Sequence, residues 1–154
     1  MIKILFICHG NICRSPMAEF IMKDLVKKAG LEQEFMIDSR ATSTEETGNP
    51  IHRGTMGIFK KYQIPCTGHR AQQMSRQDYE TYDYLIGMDQ SNIRNMTRIA
   101  GGDPEKKIYK MMEFTGSGRD VADPWYTGDF EATYRDVSEG CQALLEKLKE
   151  DLAR

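Results

Sequence analysis

The sequence has no apolar run long enough to cross a bilayer, which excludes a membrane-spanning helix. It has no internal repeat, no low-complexity tract and no linker-like stretch, so a single domain spanning residues 1–154 is expected. Neither charge predominates: 21 Lys and Arg stand against 23 Asp and Glu, for a net charge of −2. That balance gives no general attraction to nucleic acid or to an anionic membrane, so any grip on an anion must be local. Cysteine is sparse and irregularly spaced, at Cys8, Cys13, Cys66 and Cys141. In a small secreted protein these would read as two bridges. The only leader-like feature, Lys3 followed by Ile4-Leu5-Phe6-Ile7, is too short and breaks at His9-Gly10-Asn11. A reducing cytoplasmic location is therefore expected, where a thiol stays available for chemistry.

What is present is an ordinary globular composition, 40% hydrophobic and 29% charged. A chain of 154 residues buries roughly two-thirds of its unfolded surface and needs no metal or disulfide staple to fold. Ile4 to Cys8 is a continuous apolar run without alternation, the mark of a strand covered on both faces. A polar turn follows, then Ser15-Pro16, then Ala18, Ile21, Met22 and Leu25 at helical spacing. Pro16 suits a first helical position and Ser15 a cap. Further strands are expected over Phe35–Thr42, Tyr84–Met88 and Ile108–Met112. Helices are expected around Ile58, Phe59 and Tyr62, ending before Pro65, and around Ile93, Met96 and Ala100, stopping at Gly101-Gly102. The clearest helix carries Phe130, Tyr134, Val137, Cys141, Leu144, Leu145, Leu148 and Leu152. Strands alternating with helices imply an α/β fold with a parallel sheet, whose ligands bind beyond the carboxyl ends of the strands. Cys8 stands at such an end.

The segment Cys8-His9-Gly10-Asn11-Ile12-Cys13-Arg14-Ser15 joins that strand end to a helix start. Its backbone N–H groups would converge as an anion-holding nest carrying the helix's partial positive charge. Gly10 and Asn11 are residue types that tolerate the positive φ of such a curl. Arg14 offers a planar fork for two phosphate oxygens, and Cys8 beside this cradle is expected to be a thiolate facing phosphorus. That arrangement suits in-line attack, with charge stabilised by fixed dipoles and Arg14. A buried cysteine at a strand end is usually only a small hydrophobe, and Cys-x5-Arg is a short pattern. The convergence of strand, turn, Arg14, Ser15 and helix favours chemistry. No Gly-Lys-Ser/Thr follows, so nucleotide-loop readings fail.

Cys8 through Glu19, read as Cys-x-Gly-Asn-x-Cys-Arg-Ser-Pro with Ala18-Glu19 behind, resembles the signature of the low-molecular-weight protein tyrosine phosphatases. Asp38-Ser39, Gly48-Asn49-Pro50, His69-Arg70-Ala71, Met88-Asp89 with Ser91-Asn92, and Asp123-Pro124-Trp125-Tyr126 extend the likeness along the chain. The resemblance implies a three-layer fold with a four-stranded parallel sheet and the phosphate loop after the first strand. It also implies a tyrosine-phosphorylated protein substrate, with phosphate or vanadate as active-site ligand and no cofactor or metal. Asp123 is the implied acid and base, since Pro124 keeps it extended on a loop. Asp120 is a weaker competitor, and Asp103-Pro104 reads as turn punctuation. Trp125 and Tyr126 would wall the substrate ring. Ser15 would donate to the Cys8 sulfur, Asn11 would bridge the loop interior with His69 as its brace, and Cys13 could close a reversible disulfide with Cys8.

Two departures from the family pattern stand out. Glu45, followed by Glu46, occupies a position where the family places a bulky pocket residue, so acidic flanks around the phosphotyrosine should be disfavoured. Arg40 replaces a smaller residue and reads as a solvated loop charge. Ile12 suits a phenyl ring, whereas arginine-phosphate phosphatases of this fold carry threonine there. Arsenate reductases of this fold need another cysteine pair, and residues 85–120 contain no cysteine. A rival of another class is a metal-stabilised phosphoprotein-binding module using Cys8, Cys13, Cys66 and His69.

Overall fold

Ile4, Leu5, Phe6 and Ile7 are wholly shielded from solvent, because their strand is paired on both edges and covered on both faces. In the computed structural model, which describes residues 1–154, this strand is β1 (Ile2–Cys8). It pairs in parallel with β2 (Phe35–Ala41) on one side and β3 (Tyr84–Gly87) on the other. β3 in turn pairs in parallel with β4 (Ile108–Lys110), giving the order β2-β1-β3-β4. Burying each large aliphatic side chain contributes about 1.5–3 kcal/mol. The strand that ends in Cys8 is thus the best anchored of the four.

Side chains alternate across the sheet and feed two cores. Ile4, Phe6 and Cys8 join the larger core with α1 (Arg14–Lys28), α2 (Arg53–Lys61) and α6 (Phe130–Leu152). Leu5 and Ile7 face the smaller one, built from Tyr79 of α3 (Arg76–Thr81) and Met96 and Ala100 of α4 (Gln90–Ala100). A single turn, α5 (Pro124–Thr127), leads into α6. This is the expected four-stranded parallel sheet flanked by helices. The α4 helix is bounded as its sequence suggests: Asp89 accepts from Asn92 N–H at 2.8 Å, and Gly101 ends it at φ 78°.

Several local expectations need correction. The Ser15 hydroxyl is not a helix cap: α1 begins at Arg14, with Cys13 at the cap position, and Ser15 Oγ turns toward the Cys8 sulfur. Pro16 accordingly sits two residues inside the helix. Arg40 is not a solvated loop charge, since it lies on β2 with its side chain 15% exposed, paired with Asp38 at 2.9 Å and Asp78 at 3.7 Å. β4 stops at Lys110 rather than Met112, because Glu113 accepts Lys110 N–H at 2.6 Å and opens a 3-10 turn over Met111–Thr115. β2 and β3 each end one residue early. The α3 helix has only one buried side chain, Tyr79, and so showed no apolar period. Its legible mark was Ser75-x-x-Asp78, where Asp78 accepts Ser75 N–H at 2.9 Å.

Candidate active site

Beyond the end of β1 the chain curls through His9–Cys13 into α1, with Asn11 at φ 60°. Asparagine occupies that left-handed region at low cost, and its side chain here has work on every atom. Nδ2 donates to Ser15 Oγ at 2.8 Å and to Ser39 Oγ at 3.0 Å, while Oδ1 accepts Gln72 N–H at 3.1 Å. The Asn11 carbonyl faces His69 Nε2 at 2.8 Å, so that ring nitrogen carries the hydrogen. Ser39 passes its own hydrogen to the buried carboxylate of Glu19 at 2.6 Å, which Lys23 neutralises at 2.6 Å. Everything around Asn11 is satisfied, which fixes the curl.

The fixed curl turns donors onto one sulfur. Cys8 Sγ accepts from Asn11 N–H at 3.3 Å and Ser15 N–H at 3.4 Å, and Ser15 Oγ lies 3.1 Å away. Because that oxygen already accepts from Asn11, its hydrogen is free for the sulfur. Such a set of donors is oriented to hydrogen-bond the sulfur from one side. In the neighbouring Cys13 thiol, burial, reinforced by the charges of Cys8 and Asp123, pushes the pKa up to about 12.

Arg14 is almost wholly buried beside this sulfur. Its Nη1 donates to Asp89 Oδ2 and to the Val121 carbonyl, both at 2.8 Å, and its Nη2 lies 3.5 Å from Asp123 Oδ2. Burial works against its charge, but Cys8, Asp89 and Asp123 outweigh that and hold the guanidinium above its ordinary range. Asp89 divides its oxygens between α4 and Arg14. Val121 N–H is fastened to the Met88 carbonyl at 2.9 Å, bringing the segment before Asp123 onto the end of β3. Asp123 itself is extended (φ −81°, ψ 114°), and its Oδ1 accepts Trp125 N–H at 3.0 Å.

Cys8, Arg14 and Asp123 line a single cavity of about 320 Å³ together with His9, Gly10, Ile12, Cys13, Glu45, Glu46, Trp125 and Tyr126. Trp125 and Tyr126 are largely exposed, on the one-turn α5 rather than on an open loop. Glu45 pairs with His9 Nε2 at 3.0 Å. Over residues 3–154 the chain matches the profile of the low molecular weight phosphotyrosine protein phosphatases. The chain belongs to that family.

Relatives within the family agree along their whole length. The low molecular weight protein-tyrosine-phosphatase YfkJ of Bacillus subtilis (strain 168) is 40% identical over 153 residues, covering 98% of each chain. The crystal structure of YfkJ superposes with a TM-score of 0.95, covering 98% of this chain and 96% of that one. SP-PTP, a low molecular weight protein tyrosine phosphatase from Streptococcus pyogenes, is 47% identical with a TM-score of 0.88, covering 100% and 99%. DARP, the drosophila arginine phosphatase, is 29% identical with a TM-score of 0.88, covering 96% and 98%.

Within this phosphatase fold, Asp120 is turned away from the cavity, held by Lys110 Nζ at 2.9 Å and Gln90 N–H at 3.1 Å. Asp103 anchors Tyr79 and the Lys107 amide instead. The proposed metal set does not assemble: Cys66 lines a different cavity from Cys8 and Cys13, and no cluster of three or more His, Cys, Asp or Glu could hold an ion. Glu19, Ser39, Gln72 and Asp89, which hold Asn11 and Arg14, have roles visible only in the fold; in the sequence Glu19, Ser39 and Asp89 are merely parts of motifs. Glu46 also joins Glu45 on the cavity wall.

Proposed function

We propose that the chain is a protein-tyrosine phosphatase that hydrolyses phosphotyrosine and aryl phosphates through a phospho-cysteine on Cys8. One observation carries this reading: the Cys8 sulfur lines the cavity with two amide N–H groups and a hydroxyl directed at it, beside the buried Arg14. The loop amides and Arg14 bind the phosphoryl oxygens. The sulfur attacks phosphorus in line, and an S–P bond forms as the bond from phosphorus to the tyrosyl oxygen breaks. Asp123 gives that oxygen its proton, so tyrosine leaves neutral. The Asp123 carboxylate then takes a proton from water, whose oxygen attacks phosphorus. The S–P bond breaks, Ser15 steadies the departing sulfur, and inorganic phosphate leaves. A phosphate in the loop competes with Asp123 for Arg14 Nη2, which leaves the carboxyl free to turn toward the leaving oxygen.

The apolar Ile12 and the rings of Trp125 and Tyr126 support a phenyl rather than a guanidinium substrate. Glu45 and Glu46 in the same cavity lining support a preference for neutral or basic residues beside the phosphotyrosine. All four cysteines are free thiols, and no helix is long and apolar enough to cross a membrane; both are consistent with work in a reducing cytoplasm. The test compares phosphotyrosine, phosphoserine and phosphoarginine side by side. Phosphotyrosine should turn over fastest, vanadate should inhibit, and Cys8→Ser should be inactive. Faster phosphoarginine turnover, or activity retained in Cys8→Ser, would overturn the reading.

A further inference from the structure

His52 takes no part in the chemistry described above and does not line the cavity, yet it touches both loops that do. Its backbone N–H donates to the Ile12 carbonyl at 2.9 Å, fixing it to the phosphate loop. One turn on, Thr55 Oγ1 donates to the Cys13 carbonyl at 3.2 Å. The His52 ring caps α2, with Nδ1 accepting Gly54 N–H at 3.0 Å. The same ring stacks on Phe130 (centroids 5.2 Å apart, planes 13° apart) and meets Trp125 edge-on (5.6 Å, 75°). Those two rings lie on the segment that follows Asp123: Trp125 stands two residues after it in α5, and Phe130 opens α6. There is no slack on the Phe130 side, since a Cβ on Gly54 would stand 2.4 Å from the Phe130 ring.

Trp125 has His52 as its only aromatic neighbour, and its backbone N–H is held by Asp123 Oδ1 at 3.0 Å. The ring contact with His52 thus holds the residue whose backbone N–H fixes the Asp123 carboxyl. Upstream, the segment is tethered through Arg14 to Val121 and Asp123. A bound phosphate would compete for Arg14 Nη2, whereas the His52 contacts would persist. We propose that His52 is a positioning residue, holding the Asp123–Trp125 turn at its working distance from the phosphate loop. The inference rests on the reading of Asp123 as the acid.

Two substitutions separate the ring from the cap. His52→Asn keeps a good capping acceptor and loses the ring; His52→Phe keeps the ring and loses the acceptor. Trp125 is the chain's one tryptophan, so acrylamide quenching of intrinsic fluorescence reads its packing directly. Expected for His52→Asn are easier quenching and a loss of about three- to tenfold in kcat/KM on phenyl phosphate, the range an aromatic pair is worth. The loss on 4-nitrophenyl phosphate should be smaller, because that leaving group needs little protonation. His52→Phe should stay within about twofold of the parent in both assays, since the stack is kept. An unchanged His52→Asn, a His52→Phe as impaired as His52→Asn, or equal losses on both substrates would each overturn the proposal. Asp123→Asn is assayed alongside. If it shows no dependence on the leaving group, the acid reading itself fails and the proposal falls with it, while the quenching data still decide whether the ring contact exists.

Discussion

The Cys8–Ser15 loop and the Asp123–Thr127 turn share one cavity but differ in nearly every physical respect. From Asn11 to Ser15 no residue is more than 8% exposed, whereas Trp125 and Tyr126 are 58% and 85% exposed. The loop is held by contacts from Ser39, His69 and Gln72, each remote in sequence; the turn is held by the Arg14 contacts and by rings. The contrast fits the tasks proposed for the two segments. Donors that stabilise a transition-state charge must be oriented before the substrate arrives, or the reorganisation raises the barrier. A wall and an acid must admit an aromatic ring and release it again, which a fully buried segment cannot do.

Several experiments would break or sharpen that contrast. Asp123→Ala should slow aryl phosphate turnover by ~10²–10⁴ while leaving stability nearly unchanged, as measured by steady-state kinetics and thermal melting. A large loss of stability would show the turn to be structural after all. Asn11→Ala attacks the rigid side. It leaves Ser39 and Gln72 without their partner and places alanine at positive φ, so about 2–4 kcal/mol of stability should disappear in urea titration. A smaller change would mean that the loop is less determined than its bonds suggest. Glu45→Gln with Glu46→Gln should shift kcat/KM between lysine-flanked and glutamate-flanked phosphopeptides by about three- to tenfold, fading with salt. An unchanged ratio would remove the acidic wall from recognition.

The smallest expected effect is alkaline. The Cys13 thiol is pushed from its ordinary 9.0 up to about 12, so the folded state binds a proton there that the unfolded chain has already lost. Stability is therefore fully present below pH 9 and declines as pH rises through the window from 9 to 12. Denaturation at stepped pH should show that slope, and Cys13→Ser should make it shallower, the remainder belonging to Cys141, Tyr79, Tyr82 and Tyr109, which burial also pushes up. A parent slope identical to that of the variant would mean that Cys13 does not titrate as described.

The same contrast decides what could be read in advance. β1, α4 and α6 were legible because burial imprints an apolar run or period on the sequence. The Cys8–Ser15 segment was legible because one short stretch supplies sulfur, amides and guanidinium together. The supports were not: Glu19, Gln72 and Asp89 act across sheet and helix, and nothing local marks a carboxylate as bound to Ser39 or to Arg14. His52 escaped notice because its partners, Ile12, Trp125 and Phe130, lie 40 to 78 positions away. Arg40 was misread because an arginine on an edge strand looks like any surface charge until Asp38 and Asp78 close on it.

The dispersal of those supports has a consequence for synthesis. Asn11 waits for Ser39, His69 and Gln72, and Arg14 for Asp89 and Val121. A ribosome that has released only the first half of the polypeptide has supplied Asn11's partners but neither Asp89 nor Val121, so the guanidinium beside the cysteine has no anchor. The loop can thus curl before the guanidinium is seated, and the site is complete only once synthesis has passed Val121 and Asp123.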